Sequence, residues 1–497
     1  MPISSRSLPI ARRLERSMQW GPPSLFLFAA CVIAACSRTD LRTGPQSGTG
    51  ATGGADAGPD APPPPPPPCF LTLAGPAVEL IAFPEGRADS PHMVVLDPGA
   101  ASGPSGPQPA RVAYQAISED ANFWHPELRI ASIHVGTAWP EGVQIVQPPV
   151  LAGVDAHAWG KITAAPPSSG GIGLVWFQGD LAAGLPAGLK FRPFDTTTWT
   201  PGADVFIDPG GSVTYGFHAG RAVSSSGGDY DRDGYAITWR SVMEDGNAEP
   251  RVAVLDTAGA VVIGPLSTAA PQAYPGRGSD VAWSGVTYLV ATSFDACAPG
   301  ELLCEARSVV VARIRPIVGE PGGALEAASS IAAISAESVP RRPVIASRDG
   351  LTWVAWVESP PEDPDAPRTV RLARLNPAGN LVGPVAVVSQ EAHPTWGLSL
   401  AVTPLGVVLI WAEEDQPDLP PEMPGHSRLL VHHWDLDGES MGPPHVIPTT
   451  RFANNPTPSA VALGHPRSML VSWASAEEAA APRDVTYLAR LDCSGTP

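Results

Sequence analysis

Short runs with an apolar residue at every second position alternate along the chain with clusters of Gly, Pro, Asp and Asn. A period of two is the pattern of a half-buried β-strand, and such clusters are typical of turns. No segment after residue 69 shows the sustained 3.6-residue periodicity of an amphipathic helix. The pattern therefore predicts an all-β protein.

One sequence motif recurs along the chain: an alternating strand followed by a Gly-containing turn, as in RLARLNPAGNLVG at 371–383. Related copies of the motif are RVAVLDTAG, LLVHHWDLDG and VTYLARLDCSG. The last large apolar residue before the turn recurs at intervals of 57 to 61 residues. The seven positions are Ile133, Phe194, Leu255, Ile314, Leu375, Trp434 and Leu491.

A second mark lies upstream in each unit, where a strand ends with an aromatic residue, or with Thr in the fourth unit. These residues are Tyr114, Trp176, Trp239, Thr292, Trp356, Trp411 and Trp473. Two independent marks agree on seven copies, and each copy divides into four short strands. We expect the aromatic side chains to pack between neighbouring units, since one indole buries about 200 Å².

Four antiparallel strands repeated seven times resemble the blades of a β-propeller. The predicted fold is a seven-bladed β-propeller over 69–497, with four-stranded blades and a repeat of about 60 residues. The last unit has only three strands before the chain ends. The segment CFLTLAG at 69–75 is therefore expected to add the fourth strand and close the ring.

Four cysteines lie in the predicted propeller: Cys69, Cys297, Cys304 and Cys493. Outside the cytoplasm an even set implies disulfides, and four cysteines allow three pairings. Cys297 and Cys304 share one loop, which favours their pairing and leaves Cys69 for Cys493. A metal site is the alternative, although no Cys-x-x-Cys motif or nearby Cys/His pair supports it.

The N-terminus has the features of an export signal: a leader with several Arg residues, then the apolar stretch SLFLFAACVIAAC at 24–36. That stretch is shorter than the ~20 residues that a membrane-spanning helix needs. Its end, IAAC, resembles the lipobox of bacterial lipoproteins, and a weaker copy ends at Cys31. The resemblance implies a signal peptide over 1–35 and attachment to the lipid bilayer through acylation of Cys36, for example with palmitate. An ordinary secretory signal is the alternative.

Ser37, rather than Asp, follows the cysteine, which in such lipoproteins favours the outer membrane. Residues 36–68 are rich in Gly, Ala, Thr and Ser and close with seven prolines. Such a segment buries too little apolar surface to fold, and its proline run favours a stiff polyproline II helix. We interpret 36–68 as a disordered tether. A proline-binding partner is the alternative.

The chain of 497 residues is acidic, with a formal net charge of −18. A nucleic-acid partner or an anionic membrane surface requires a basic face, and neither fits this charge. The 59 Pro and 50 Gly fit a chain of many strands and turns. We expect the protein to be a monomer.

The segment GGDYDRDGYAITW carries Asp229, Asp231 and Asp233 at alternate positions before a Gly. Alternate carboxylates before a turn can bind a hard cation, and the segment resembles the calcium loop of FG-GAP propellers. A further Asp expected four residues after the third is Ile237 here. The candidate cofactor is therefore calcium at an incomplete site, and a solvated acidic turn is the alternative.

The segments that follow the Trp strands are acidic, and Glu413, Glu414 and Asp415 are the candidate binding residues among them. In a propeller these segments gather on one face, where they attract cations or a basic partner, although they can also serve solubility alone. The motifs H-E-x-x-H and G-x-S-x-G are absent. His432 and His433, adjacent in one strand, should point to opposite faces, and we interpret neither as catalytic.

These observations favour a lipid-anchored, non-catalytic binding or scaffold module of the cell envelope, with an envelope protein or glycan as its partner. The alternative is an exported hydrolase or lyase that acts on carbohydrate or protein. Its site would lie in the propeller funnel and use a pair of carboxylates.

Overall fold

A computed structural model shows the strands of the chain and many of their connections. The residues that it describes are 69–82, 87–97, 110–119, 127–153, 156–164, 171–178, 188–208, 218–219, 234–242, 248–268, 279–296, 306–315, 324–334, 338–348, 350–359, 368–392, 397–403, 406–414, 427–448, 458–463, 467–476 and 484–494. All of them belong to one compact unit, Pro66–Pro497. No helix in this part of the chain is long and apolar enough to cross a membrane.

The first two strands are followed by blades 1 to 3. The leading strands are β1 (Phe70–Leu73) and β2 (Val78–Ala82). Blade 1 consists of β3 (Arg87–Asp97), β4 (Ala110–Glu119), β5 (Glu127–Val135) and β6 (Val143–Gly153). Blade 2 consists of β7 (Ala156–Ala164), β8 (Gly171–Gln178), β9 (Gly188–Asp195), β10 (Thr200–Pro201) and β11 (Val205–Asp208). Blade 3 consists of β12 (His218–Ala219), β13 (Gly234–Val242), β14 (Ala248–Asp256) and β15 (Val261–Ser267).

Blades 4 to 7 follow with the same order of strands. Blade 4 consists of β16 (Ser279–Trp283), β17 (Tyr288–Ala296), β18 (Ala306–Arg315) and β19 (Ala324–Ile334). Blade 5 consists of β20 (Val339–Arg348), β21 (Leu351–Ser359), β22 (Arg368–Leu375) and β23 (Leu381–Ala392). Blade 6 consists of β24 (Leu398–Thr403), β25 (Gly406–Glu414), β26 (Ser427–Trp434) and β27 (His445–Pro448). Blade 7 begins with β28 (Ser459–Leu463), β29 (Ser468–Ala476) and β30 (Asp484–Ser494).

Every blade is an antiparallel sheet in which consecutive strands are neighbours, except that β10 and β11 of blade 2 both pair with β9. The first strand of each blade contacts the first strand of the next, from β3 through β7, β12, β16, β20, β24 and β28 back to β3. These seven inner strands therefore surround a common axis. The predicted seven-bladed β-propeller is confirmed.

The beginning and the end of the propeller meet in blade 7, as predicted. Strand β1 pairs with β30 in the register Leu71 opposite Cys493. A disulfide joins Cys69 to Cys493, with 5.0 Å between their Cα atoms. The structure adds one strand that we did not predict, because β2 also pairs with β30, opposite residues 485–488. Gly75 and Pro76 separate the two strands, and Trp139 Nε1 donates a hydrogen bond to the Pro76 carbonyl at 2.8 Å.

The recurring aromatic residues form the contacts between blades. The five tryptophans and Tyr114 are at most 2% exposed, and Thr292 is 6% exposed. Trp411 of blade 6, for example, packs with Trp353 and Leu372 of blade 5. Burial also raises the pKa of the Tyr114 hydroxyl above its ordinary value. The prediction that these residues pack in the core is confirmed.

The recurring Gly turn lies on the side of the ring where the third strands end. In blade 5, Gly379 N donates to the Asn376 carbonyl at 2.8 Å, and Asn376 Oδ1 accepts from the amides of Ala378 and Asn380. Gly379 has a φ of 77°, and a Cβ there would lie 2.9 Å from Cδ2 of Leu289 in blade 4. The turn therefore needs glycine both for its backbone and for its contact with the preceding blade.

An arginine of the preceding blade binds this turn in three cases. Arg313 of blade 4 donates to the Ala378 carbonyl at 3.3 Å, and Arg374 of blade 5 donates to the Asp437 carbonyl at 3.4 Å. Arg490 of blade 7 donates to the carbonyls of residues 136 and 137 in blade 1 at 2.8 and 3.0 Å. All three arginines directly precede the last apolar residue of the repeat. In these three cases, the arginine and the turn of the recurring motif thus join consecutive blades.

Candidate ligand-binding face

The second strand of every blade ends on one side of the ring, which we call the loop face, because all blades repeat the same strand order. Its second-strand ends are Glu119, Gln178, Val242, Ala296, Ser359, Glu414 and Ala476. The acidic segments predicted to bind a partner connect these ends to the third strands. Most of their residues, including Asp415, lie outside the described residues. Their binding role stays a prediction.

A tryptophan, a glutamate and an arginine form one hydrogen-bonded unit at the loop-face end of blade 5. Trp356 Nε1 donates to Glu358 Oε1 at 3.0 Å, and Arg371 Nε donates to Glu358 Oε2 at 3.2 Å. Residues two apart on a strand share one face of the sheet, so the spacing Trp-x-Glu places the carboxylate beside the indole. The unit orients Trp356, which packs in the cluster between blades 4 and 5.

Blade 6 repeats this unit and extends it to blade 5. Trp411 Nε1 donates to Glu413 Oε1 at 2.8 Å, and Arg428 donates to Glu413 Oε2 through Nε at 3.3 Å and Nη2 at 3.0 Å. The Ser389 hydroxyl of blade 5 donates to Glu413 Oε1 at 3.4 Å. Glu413 is only 6% exposed. The structure thus places this predicted binding residue inside the contact between two blades, while Glu414 is the last residue of β25.

Other blades stabilise the aromatic residue differently. The residues two positions after it are Gln178 in blade 2, Ser241 in blade 3 and Ser475 in blade 7. The Arg192 guanidinium lies 5.2 Å from the ring centroid of Trp176, and Tyr487 stacks on Trp473 with 5.8 Å between centroids. Nε1 of both tryptophans lacks a hydrogen-bond partner among the described residues. Indole–carboxylate hydrogen bonds are present at Trp356 in blade 5 and at Trp411 in blade 6.

Three inner strands carry bulges close to the loop face. In β3 the register shifts between Asp89 and His92, and in β7 it shifts between His157 and Lys161. In β20 it shifts between Arg341 and Val344, opposite Trp356. A bulge inserts extra residues on one strand and redirects the side chains around it, and bulges are frequent beside binding sites.

Sequence reasoning missed these bulges, although a signal was present. The segments DSPHM, AWGKI and RRPVI each place Pro or Gly inside an otherwise alternating strand. Proline donates no backbone hydrogen bond and glycine weakens a strand, so both mark bulges in a sheet interior. The Pro and Gly positions can be read from the sequence. Their significance depends on knowing that these segments are the inner strands of their blades, which the fold shows.

Polar side chains connect inner strands of neighbouring blades. Asp280 Oδ2 in β16 accepts from the amide of Ile345 in β20 at 3.0 Å. Met93 N in β3 donates to the Ser459 hydroxyl in β28 at 3.0 Å. These bonds hold the inner strands in place beneath the loop face.

The predicted calcium ligands Asp229, Asp231 and Asp233 lie outside the described residues, which resume at Gly234 in β13. Calcium binding there stays a prediction. Within the described ranges, no three His, Cys, Asp or Glu residues are arranged to hold a metal ion. The predicted partners Cys297 and Cys304, the acylation site Cys36 and the tether also lie outside the described residues.

The two adjacent histidines of blade 6 occupy different environments, as the alternation predicts. His433 is 5% exposed. His432 stacks on Trp434 with 4.0 Å between ring centroids, and its Nε2 lies 2.8 Å from the Ser440 hydroxyl. Burial lowers the pKa of His432 to about 4, with smaller contributions from His433 and His445. His432 is therefore neutral at physiological pH and serves as a packing residue near the turn at 435–439.

No known protein-family model matches the chain, and no curated protein sequence matches it. Among solved structures it is similar to the α-L-arabinofuranosidase Arb93A from Fusarium graminearum, with 10% identity and a TM-score of 0.43 over 66% of this chain and 92% of that one. The NanB sialidase from Streptococcus pneumoniae is 9% identical, with a TM-score of 0.37 over 84% and 71%. The β-propeller domain of the Trilobed protease from Pyrococcus furiosus is 10% identical, with a TM-score of 0.38 over 81% and 95%. Because the sequence identities and TM-scores are so low, these similarities support no conclusion about function.

The chemistry of the loop face follows from its described groups. Glu358 and Glu413 each accept hydrogen bonds from an indole and an arginine of their own blade, and Glu413 also accepts one from Ser389 of blade 5. The inner strands bring arginine and histidine positions to the same face.

Proposed function

We propose that the protein is a lipid-anchored, non-catalytic binding module of the cell envelope. The observation that carries the binding part is the position of the seven second-strand ends on one face of a closed ring. The connections between blade strands are the segments in which a propeller varies its surface without disturbing its core. Here these segments are acidic, which favours a partner with a basic surface.

The hydrogen bonds of two glutamates near the loop face, Glu358 and Glu413, support a scaffold. Glu358 is bound by Trp356 and Arg371, and Glu413 is bound by Trp411 and Arg428. Removing a group of this kind affects blade packing first. A general acid, in contrast, needs a carboxyl group free to reach its substrate.

The lipid anchor rests on the end of the apolar leader, IAAC, and is tested by acylation. The full chain expressed in a bacterial host should incorporate radiolabelled palmitate and fractionate with the outer membrane. Cys36→Ser should abolish the label. The matched change Cys31→Ser, in the weaker copy of the motif, should leave it unchanged. Labelling that survives Cys36→Ser would contradict the assignment.

Binding is tested with the full chain and a loop variant in which Glu414, Asp415 and Asp418 become Asn or Gln. Glu413 is left unchanged in this variant because it holds blade 6 together. The wild-type chain, crosslinked in envelope membranes, should enrich one basic protein or glycan over a charge-matched control protein, and the variant should lose it. Equal enrichment by both chains would remove the acidic segments from the proposal. Hydrolysis of glycan or peptide by the full chain would contradict its non-catalytic part.

A further inference from the structure

The contact between blades 3 and 4 differs from the contacts on either side of it. Trp239 packs between blades 2 and 3, and Trp356 packs between blades 4 and 5. The equivalent residue of blade 4 is Thr292, whose side chain is much smaller. The described aromatic residues of this contact, Trp283 and Tyr288, lie at its other end, where β16 turns into β17. Among the described residues, the end of the contact near the loop face therefore has no indole.

Three buried hydroxyl groups lie where that indole would pack. Ser279 and Thr292 are directly opposite each other in β16 and β17, so their side chains share one face of the sheet. Thr238 of blade 3 joins them, because its Oγ1 donates to the Ser279 carbonyl at 3.4 Å. Thr238, Ser279 and Thr292 are 0%, 3% and 6% exposed. We call this group of three residues the hydroxyl niche.

Two of the three hydroxyls have hydrogen-bonding capacity that is not used. Ser279 Oγ and Thr292 Oγ1 are buried and have no hydrogen-bond partner in the described part of the chain. A buried hydroxyl without a partner costs free energy, so native proteins supply one from the chain, from water or from a ligand. A molecule bound in the hydroxyl niche would supply these bonds.

The closed ring limits how far blades 3 and 4 can approach each other. Seven blades surround one axis, and the pairing of β1 with β30 and the disulfide Cys69–Cys493 close the ring. Aromatic residues of the second strands space the other six contacts. Blades 3 and 4 therefore cannot close fully over Thr292 without opening a neighbouring contact, and close-packed interiors resist such shifts.

The hydroxyl niche is polar at one end and apolar at the other. Val281 and Val290, two positions from the hydroxyls, belong to the apolar cluster between the blades together with Val252 of blade 3. From the missing indole, the unused hydroxyls and this lining we infer that the hydroxyl niche binds a small planar aromatic molecule with one hydrogen-bond donor, such as indole or phenol. The ring takes the place of the absent side chain, and its N–H or O–H donates to the hydroxyl oxygen of Thr292 or Ser279. The site is independent of the acidic segments.

The test uses the full chain and two probes of the same shape, indole and benzofuran, of which indole alone carries an N–H donor. Ligand-observed NMR should show saturable binding of indole with a dissociation constant near 1 mM, and about tenfold weaker binding of benzofuran. Indole at about 10 mM should also raise the Tm by about 1–2 °C. Failure of indole to saturate, or equal affinity for benzofuran, would overturn the inference.

Two sets of variants assign the site. Ser279→Ala/Thr292→Val removes the unused hydroxyls with little change in shape and should weaken indole binding about tenfold. Ser293→Ala is the matched control, because the Ser293 hydroxyl is also buried without a described partner, but its side chain lies on the face of β17 that contacts blade 5. It should change the dissociation constant less than twofold. Equal losses in both variants would place the ligand elsewhere and contradict the inference.

Thr292→Trp supplies the indole covalently, as Trp239 and Trp356 do in the flanking contacts. This variant should keep or raise the wild-type Tm and abolish the binding of free indole, since its own side chain fills the niche. A lower Tm would show that the blades have closed around Thr292, and retained binding would show that indole lies elsewhere; either result contradicts the inference. The loop variant described above should still bind indole, so failure of the acidic segments and failure of the hydroxyl niche are distinguishable.

Discussion

Removing the disulfide between Cys69 and Cys493 should destabilise the ring where it closes. The bond joins residues separated by 424 positions, and the loop-entropy relation gives about 6 kcal/mol at 25 °C for a loop of that length. Measured native bridges contribute about 2–5 kcal/mol, because the unfolded chain retains some structure. The unfolding entropy of a domain of this size is about 0.9 kcal/mol/K, so the Tm of Cys69→Ser/Cys493→Ser should fall by about 2–7 °C.

The assay is differential scanning calorimetry, combined with hydrogen exchange over β1 and β2. Both strands pair with β30, so their amides should lose protection in the variant before the rest of blade 7. Cys297→Ser/Cys304→Ser is the comparison. Its predicted bond closes a loop of a few residues, so the same relation gives a cost of about 2–3 kcal/mol. An unchanged Tm and a protected β1 in Cys69→Ser/Cys493→Ser would refute the view that the bond holds the ring closed.

Three further changes probe the packing. Glu413→Gln keeps an acceptor for the indole but removes the charge that faces Arg428, so chemical denaturation should show a loss of about 1–2 kcal/mol, against less than 0.5 for the exposed Glu439→Gln. Gly379 and Gly383 both have a φ of 77°, but the added Cβ contacts a neighbouring blade only in Gly379→Ala. Its Tm should therefore fall further, and equal shifts would contradict the packing role. The lowered pKa of His432 means that the unfolded state takes up the proton first, so the free energy of unfolding should fall from pH 6.5 to about 4 by roughly 1–2 kcal/mol after allowance for solvent screening. His432→Gln should remove that part of the pH dependence.

The architecture was predictable because two sequence features of the repeat, an aromatic position and a glycine turn, are each required by packing between blades. An aromatic residue fills the contact between blades in six of the seven units, with Thr292 in that position in blade 4. A glycine turn fits against the preceding blade, as at Gly379, so packing preserves both features in most units. Closure by the segment at 69–75 followed from a count of strands in the last unit. The second strand β2 did not, because its alternation is too short to be distinguished from a loop.

The candidate site was less predictable for a physical reason. Glu413 looked like a surface acid because it stands in an acidic run, but Trp411 and Arg428 bind it inside a blade contact. Nothing in the run distinguishes it from its neighbours. The spacing Trp-x-Glu, present at Trp356 as well as at Trp411, was the available signal. A carboxylate two residues after a buried indole lies on the indole's own face of the sheet and is placed to accept from it.

The repeated motif RLARLNPAGNLVG takes part in two different contacts between blades. Its arginine, Arg374, binds the turn of blade 6, and its own turn is bound by Arg313 of blade 4. Blade 5 therefore holds blade 6 and is held by blade 4, on the side of the ring opposite the loop face. Cohesion between blades 4, 5 and 6 thus does not depend on the inner strands alone. That leaves the inner strands able to carry bulges near the loop face without opening the ring.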